Sequence, residues 1–172
     1  MSNEKNDTAL CAAIEKGIKE HGFYLICVSD ANLCEMPDCD HKHNDPAAMY
    51  TELEDAYVYT VGRRTSNRPE MIIFCGPSLG ERPVSGGALI ETMLETTRVL
   101  NYLIENWDEQ PVLPGHTISA GHGHRIYKVI DNPTTAQQVK TEFMIQTSNY
   151  YNSDDYEVLV IKPITIRSTL IH

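Results

Sequence analysis

"DAYVYTVGRRTSNRPEMIIFCG", residues 55 to 76, is the stretch on which the fold turns. Its first part, "DAYVYTVG", and its last, "PEMIIFCG", are dense in β-branched, aromatic and other apolar residues, the types that suit a packed, pleated surface. Each reads as a strand. Between them "RRTSNR" is short and polar. Two strands joined by so brief a connection pair most simply as an antiparallel hairpin. Gly62 permits a tight turn where the first strand ends.

Upstream, "TALCAAIEKGIKEH" places Leu10, Ile14 and Ile18 at helical spacing from Thr8 to His21. Thr8 or Asp7 can cap its start, and Gly22 is a natural stop. "FYLICVS" follows at once as a strand. From Asp30 to about Leu53 the chain has two prolines and little apolar content, so it reads as a long loop or insertion. Loops of that length are usually functional or disordered.

Downstream, "GERPVSGG" reads as loop, and "ALIETMLETTRVLNYLIENW" as a helix. Leu89, Met93, Val99, Leu100, Leu103, Ile104 and Trp107 recur there mostly at three- and four-residue spacing. "DEQPVLPGHTISAGHGH" is a second long connection, and "RIYKVID" is a strand. A helix begins at Pro133 with Asn132 as its cap, since proline is at home in a first turn. The second half of "PTTAQQVKTEFMIQTSNYY" has no decisive pattern. "YEVLVIKP" is the last strand, and the tail "ITIRSTLIH" can add an edge strand. Helices and strands mix without βαβ alternation. The expectation is an α+β fold in one domain over residues 1–172, with a mostly antiparallel sheet, helices packed on it and a loop insertion at about 30–53.

The chain has 24 acidic and 14 basic residues, a formal net charge of -10. Polymeric nucleic acid and anionic membrane both require a positive field, so neither is an expected partner. A small anion in a local basic pocket is compatible with that charge, and Arg63, Arg64 and Arg68 lie close enough in sequence to build one. Apolar runs such as "YEVLVIK" are far too short to span a bilayer. The start "MSNEKNDTAL" lacks the basic and apolar regions of an export signal. Five cysteines without such a signal favour a reducing, cytoplasmic setting with free or metal-bound thiols. Apolar edge strands near the C-terminus suit a homodimer.

His21-Gly22-Phe23 entering a strand, Tyr59-Thr60-Val61-Gly62, and Pro69-Glu70 before "MIIFCG" together resemble a bacterial family, domain of unknown function 4262. The likeness covers roughly residues 8 to 130 and is most specific from Tyr57 to Gly76. It implies the same α+β fold and no reaction, since the family has no assigned activity. The stretch from Asp30 to Leu53 departs from the family pattern as an insertion.

Three constellations can carry chemistry. "CEMPDCDHKH" brings together Cys34, Cys39, His41 and His43, all zinc-type ligands. Four ligands within ten residues are too close to wrap one ion alone. A site there would need partners elsewhere, and His122 and His124 in "SAGHGHR" are the obvious donors. The bland alternative is a solvated acidic loop. Next, "GHTISAGHGHR" sets His116, His122 and His124 among glycines, ahead of Arg125. Such a loop can form an anion-binding nest or hold a metal, or simply be a flexible connection. Third, Tyr59, Thr60, Arg63 and Arg64 gather at the hairpin turn, where arginines can grip phosphate or carboxylate. The alternative there is an exposed tip in which Glu70 pairs with an arginine. Cys75 ends its strand among apolar residues and reads as a buried thiol rather than a nucleophile.

The first functional expectation is a module that binds a small anion, possibly a nucleotide, between the Tyr59–Arg64 turn and the His116–Arg125 loop. The second is a zinc-dependent hydrolase using His122 and His124 with the Cys34–His43 cluster, where the metal would acidify a bound water. The third is a protein-interaction module using the 30–53 loop.

Overall fold

The computed structural model describes residues 3–29, 50–51, 56–76, 84–119 and 125–164. It is an α+β fold whose mixed, mostly antiparallel sheet carries four helices. Helix α1 spans Asn3–His21, five residues further upstream than the apolar spacing from Thr8 indicates. It ends where Gly22 turns to φ +81° and its N–H bonds the Ile18 carbonyl at 2.8 Å, a left-handed stop that glycine adopts without steric penalty.

Strand β1 is Tyr24–Val28, and β2 is the short Tyr50–Thr51. The hairpin strands are β3, Tyr57–Val61, and β4, Glu70–Phe74. A single 3-10 turn, Arg63–Ser66, fills the connection between them. Then follow β5, Val84–Ser85, and α2, Gly86–Glu105. Strand β5 pairs antiparallel with β2 in a separate two-stranded sheet. The remaining elements are β6, Thr117–Ser119; β7, Ile126–Val129; α3, Pro133–Glu142; α4, Ile145–Tyr151; and β8, Val158–Ile164. The main sheet is ordered β1-β3-β4-β8-β7-β6. Strands β6 and β7 are antiparallel with Ile118 opposite Tyr127, and β7 and β8 are antiparallel with Lys128 opposite Lys162.

The residues sort into two compact units. One gathers Met1–Ile26, Tyr59–Ile72 and Asp131–Val160, and the other Cys27–Val58, Ile73–Ile130 and Ile161–His172. The first buries Ile14, Tyr59, Val61, Met71, Ile72, Val139, Met144 and Val160. The second buries Val58, Ile73, Val99, Leu100, Leu103, Tyr127, Val129 and Ile161. Every residue of β4 is buried, the pattern of a central strand covered on both faces. Among the described residues no helix is long and apolar enough to cross a membrane.

Candidate functional site

In the first unit the chemistry-bearing side chains converge on Glu70, the first residue of β4. Its exposure is 0%, which for a carboxyl demands hydrogen-bond donors in place of water. Four donors are supplied. Oε1 accepts from the backbone N–H of Gly62 at 3.0 Å, from that of Arg64 at 3.2 Å, and from the Tyr151 hydroxyl. Oε2 accepts from the Thr60 hydroxyl at 2.5 Å. The Thr60 oxygen in turn accepts from the Met71 N–H at 2.8 Å, so the hydroxyl is used in both directions.

The carboxyl thus replaces the missing strand partners at the point where β3 turns away. Gly62 leaves the sheet at φ +109° and opens the 3-10 turn, and Asn67 closes it at φ 56°. Both N–H groups that the turn points inward find Glu70. Thr147 of α4 adds a buried bond to the Thr60 carbonyl at 3.1 Å, and the Tyr59 hydroxyl donates to Gln146 Oε1 at 3.0 Å.

The two arginines of the turn have parted company. Arg63 is buried, and its Nε donates to the Pro69 carbonyl at 2.9 Å, so it ties the turn across its base. Arg64 points outward, with its guanidinium 5.4 Å from the Tyr151 ring centroid. It reaches Asp155 at 3.8 Å, an aspartate whose side chain is 95% exposed, so the pair is worth little. Glu70 therefore serves the turn's backbone and hydroxyls, and the exposed tip in which it would pair with an arginine does not form.

Burial lifts the Glu70 carboxyl above its ordinary 4.5, and the donors from Thr60, Tyr151, Arg64 and Gly62 pull the other way. Burial first, and then the Glu70 carboxylate, hold the Tyr151 hydroxyl well above its usual range, so it stays a donor. A raised folded value means that the unfolded chain gives up the proton first. The stabilising contribution is therefore complete below pH 4.5 and is lost as pH rises through the folded value. The stability margin of the natural protein over Glu70→Gln should accordingly be widest near pH 4 and narrow as pH rises. Urea titrations of both proteins at several pH values would show this, and a margin that widens with pH would contradict it.

In the second unit Arg125, just before β7, donates from Nη1 to the Cys75 carbonyl at 3.1 Å and from Nη2 to Thr92 Oγ1 at 3.4 Å. Its Nε lies 3.9 Å from Glu95. Arg125 thus holds the end of β4 to α2. The Cys75 thiol is 1% exposed and is pushed up to about 11 by burial, against the opposing effects of Thr96 and Arg125. A thiol so held is not a nucleophile at neutral pH. His116 is exposed, and its Nδ1 accepts from the Leu113 N–H at 3.2 Å, a local turn contact.

The structure therefore brings Tyr59, Thr60, Arg63 and Arg64 together in one unit and places His116 and Arg125 in the other. His122, His124, Cys34, Cys39, His41 and His43 lie outside the described residues. Among the described residues no group of three or more His, Cys, Asp or Glu side chains could hold a metal ion. Tyr151 and Gln146 were not legible as site residues, because they lie 81 and 87 positions from Glu70 and Tyr59. The tyrosine-rich "NYYNSDDY" was the available sign. No family model, curated protein or solved structure matches the chain.

Proposed function

We propose that this chain binds a small anionic ligand at the turn that follows β3, with Arg64 as the anion-facing group. One observation carries the reading. Arg64 is the exposed cation of a turn whose backbone is pinned from beneath by a buried carboxylate, and its guanidinium lies over the Tyr151 ring. A guanidinium seated on an aromatic ring keeps its planar fork of donors in a restricted orientation, which reduces the ordering cost of gripping phosphate or carboxylate. The exposed Asp155 can give way to an incoming anion at little cost. The same turn carries the resemblance to the 4262 family, which assigns no activity to it.

Calorimetric titration with pyrophosphate, nucleoside monophosphates and small carboxylates tests the proposal. Arg64→Ala should weaken binding by about tenfold or more, the effect of on the order of 1.4 kcal/mol. Arg64→Lys should recover only part of it, because lysine keeps the charge without the fork. An affinity that Arg64→Ala leaves unchanged, or silence across the whole panel, would sink the reading.

A further inference from the structure

A groove of about 360 Å³ runs between α1 and α4 in the same unit as Arg64. Leu10, Ile14 and Tyr150 supply its apolar walls, while Glu15, Gln146 and Asn149 supply polar groups. From these residues we infer that the ligand of the Arg64 turn is a nucleotide whose base lies in this groove and whose phosphate meets Arg64. The inference rests on the anion-binding reading of Arg64 and names the ligand class.

The two places are continuous. Tyr150 lines the groove, and its ring meets that of Tyr151 edge-on, with centroids 5.2 Å apart. Tyr151 in turn lies beneath the Arg64 guanidinium. Two neighbouring tyrosines on α4 therefore join the apolar slot to the exposed cation.

Chemical fit points the same way. A nucleobase is a flat body with apolar faces and a polar edge. The groove has the same division, with Leu10 and Tyr150 for the faces and amide and carboxylate groups for the edge. The Gln146 carbonyl oxygen is taken by the Tyr59 hydroxyl at 3.0 Å, which fixes the amide and leaves its NH2 as the group to present. Asn149 can donate and accept, and Glu15 accepts. Tyr150 remains 37% exposed, apolar surface that a stacked base would cover. A free phosphate or simple carboxylate would engage Arg64 and leave all of this unused.

The groove carries its own reporter. Cys11 lines it and is exposed, while the exposed Cys27 serves as an internal reference. Alkylation by N-ethylmaleimide, read by peptide mass spectrometry, should slow at Cys11 by about tenfold under saturating AMP or GMP, since an occupied site lowers the accessible fraction in proportion. Cys27 should be unaffected. Ribose 5-phosphate and pyrophosphate should bind through Arg64 without protecting Cys11. Tyr150→Ala should weaken AMP about tenfold and pyrophosphate much less, through its contact with Tyr151 alone. If calorimetry shows AMP bound no more tightly than ribose 5-phosphate, with Cys11 unprotected, the base is elsewhere and this inference falls while the anion reading stands. If neither AMP nor pyrophosphate binds, both fall.

Discussion

Replacing Glu70 with alanine is expected to lower the unfolding free energy by about 4 kcal/mol, because it strands two donors and weakens the bonding of two more at once. The Gly62 N–H and the Tyr151 hydroxyl lose their acceptor, while the Arg64 N–H keeps only the Tyr151 oxygen at 3.2 Å and the Thr60 hydroxyl only the Met71 carbonyl at 3.5 Å. The cavity left by the carboxyl adds to the loss. For a chain of this length that corresponds to a fall in Tm of roughly 10 °C. Glu70→Gln should be far milder, at about 1 kcal/mol. Its amide oxygen can keep the three donors now at Oε1, and its NH2 can donate to Thr60 Oγ1. The Thr60 hydroxyl then has the Met71 carbonyl to turn to, now 3.5 Å away. Urea unfolding of the three proteins decides the matter. Alanine and glutamine variants of equal stability would mean that an acceptor oxygen of the right shape at this position does not hold the turn, and the acceptor role would fail.

That contrast also marks how far the site could be read from the chain. The hairpin was legible because β3 and β4 are uninterrupted apolar runs with only a short polar connection between them. Helix α2 was legible from its spacing, and the start of α3 from Asn132, whose Oδ1 accepts from Thr134 and Thr135 as an N-cap should. Glu70 was not legible. A glutamate after a proline at a hairpin end has the composition of a surface tip, and the tyrosine that completes its shell comes from α4. Arg63 misleads for the same reason, since its burial depends on a carbonyl at Pro69 that composition does not reveal.

Strand β6 has no signature of its own in the sequence, because it is three residues with one buried side chain, Ile118, and its ladder is supplied by β7. The break between α3 and α4 has no glycine or proline behind it. Met144, fully buried at φ -107° and ψ 42°, interrupts the helix where its side chain enters the core. Tertiary packing overrides local propensity there, and no window of sequence contains the cause.

Gly62→Ala should cost about 3 kcal/mol, and the reason can be separated into two parts by experiment. At φ +109° any L side chain is strained. A Cβ at Gly62 would also stand 2.5 Å from Ile18 Cγ1 and 2.7 Å from its Cδ1, closer than carbon atoms approach without displacement. The nearer of these is the inner carbon of a branched side chain on α1, so relief requires the helix or the turn to shift. Any shift of the turn pulls the Gly62 N–H from Glu70, which links this position to the buried carboxyl. A double-mutant cycle with Ile18→Ala isolates the steric part. Removing Ile18 alone should destabilise through lost packing, but Gly62→Ala should cost about 1 kcal/mol less in that background than in the natural one. The residual cost in the double variant measures backbone strain. Strict additivity of the two substitutions would mean that Ile18 does not press on the turn. The glycine would then be required by its φ alone.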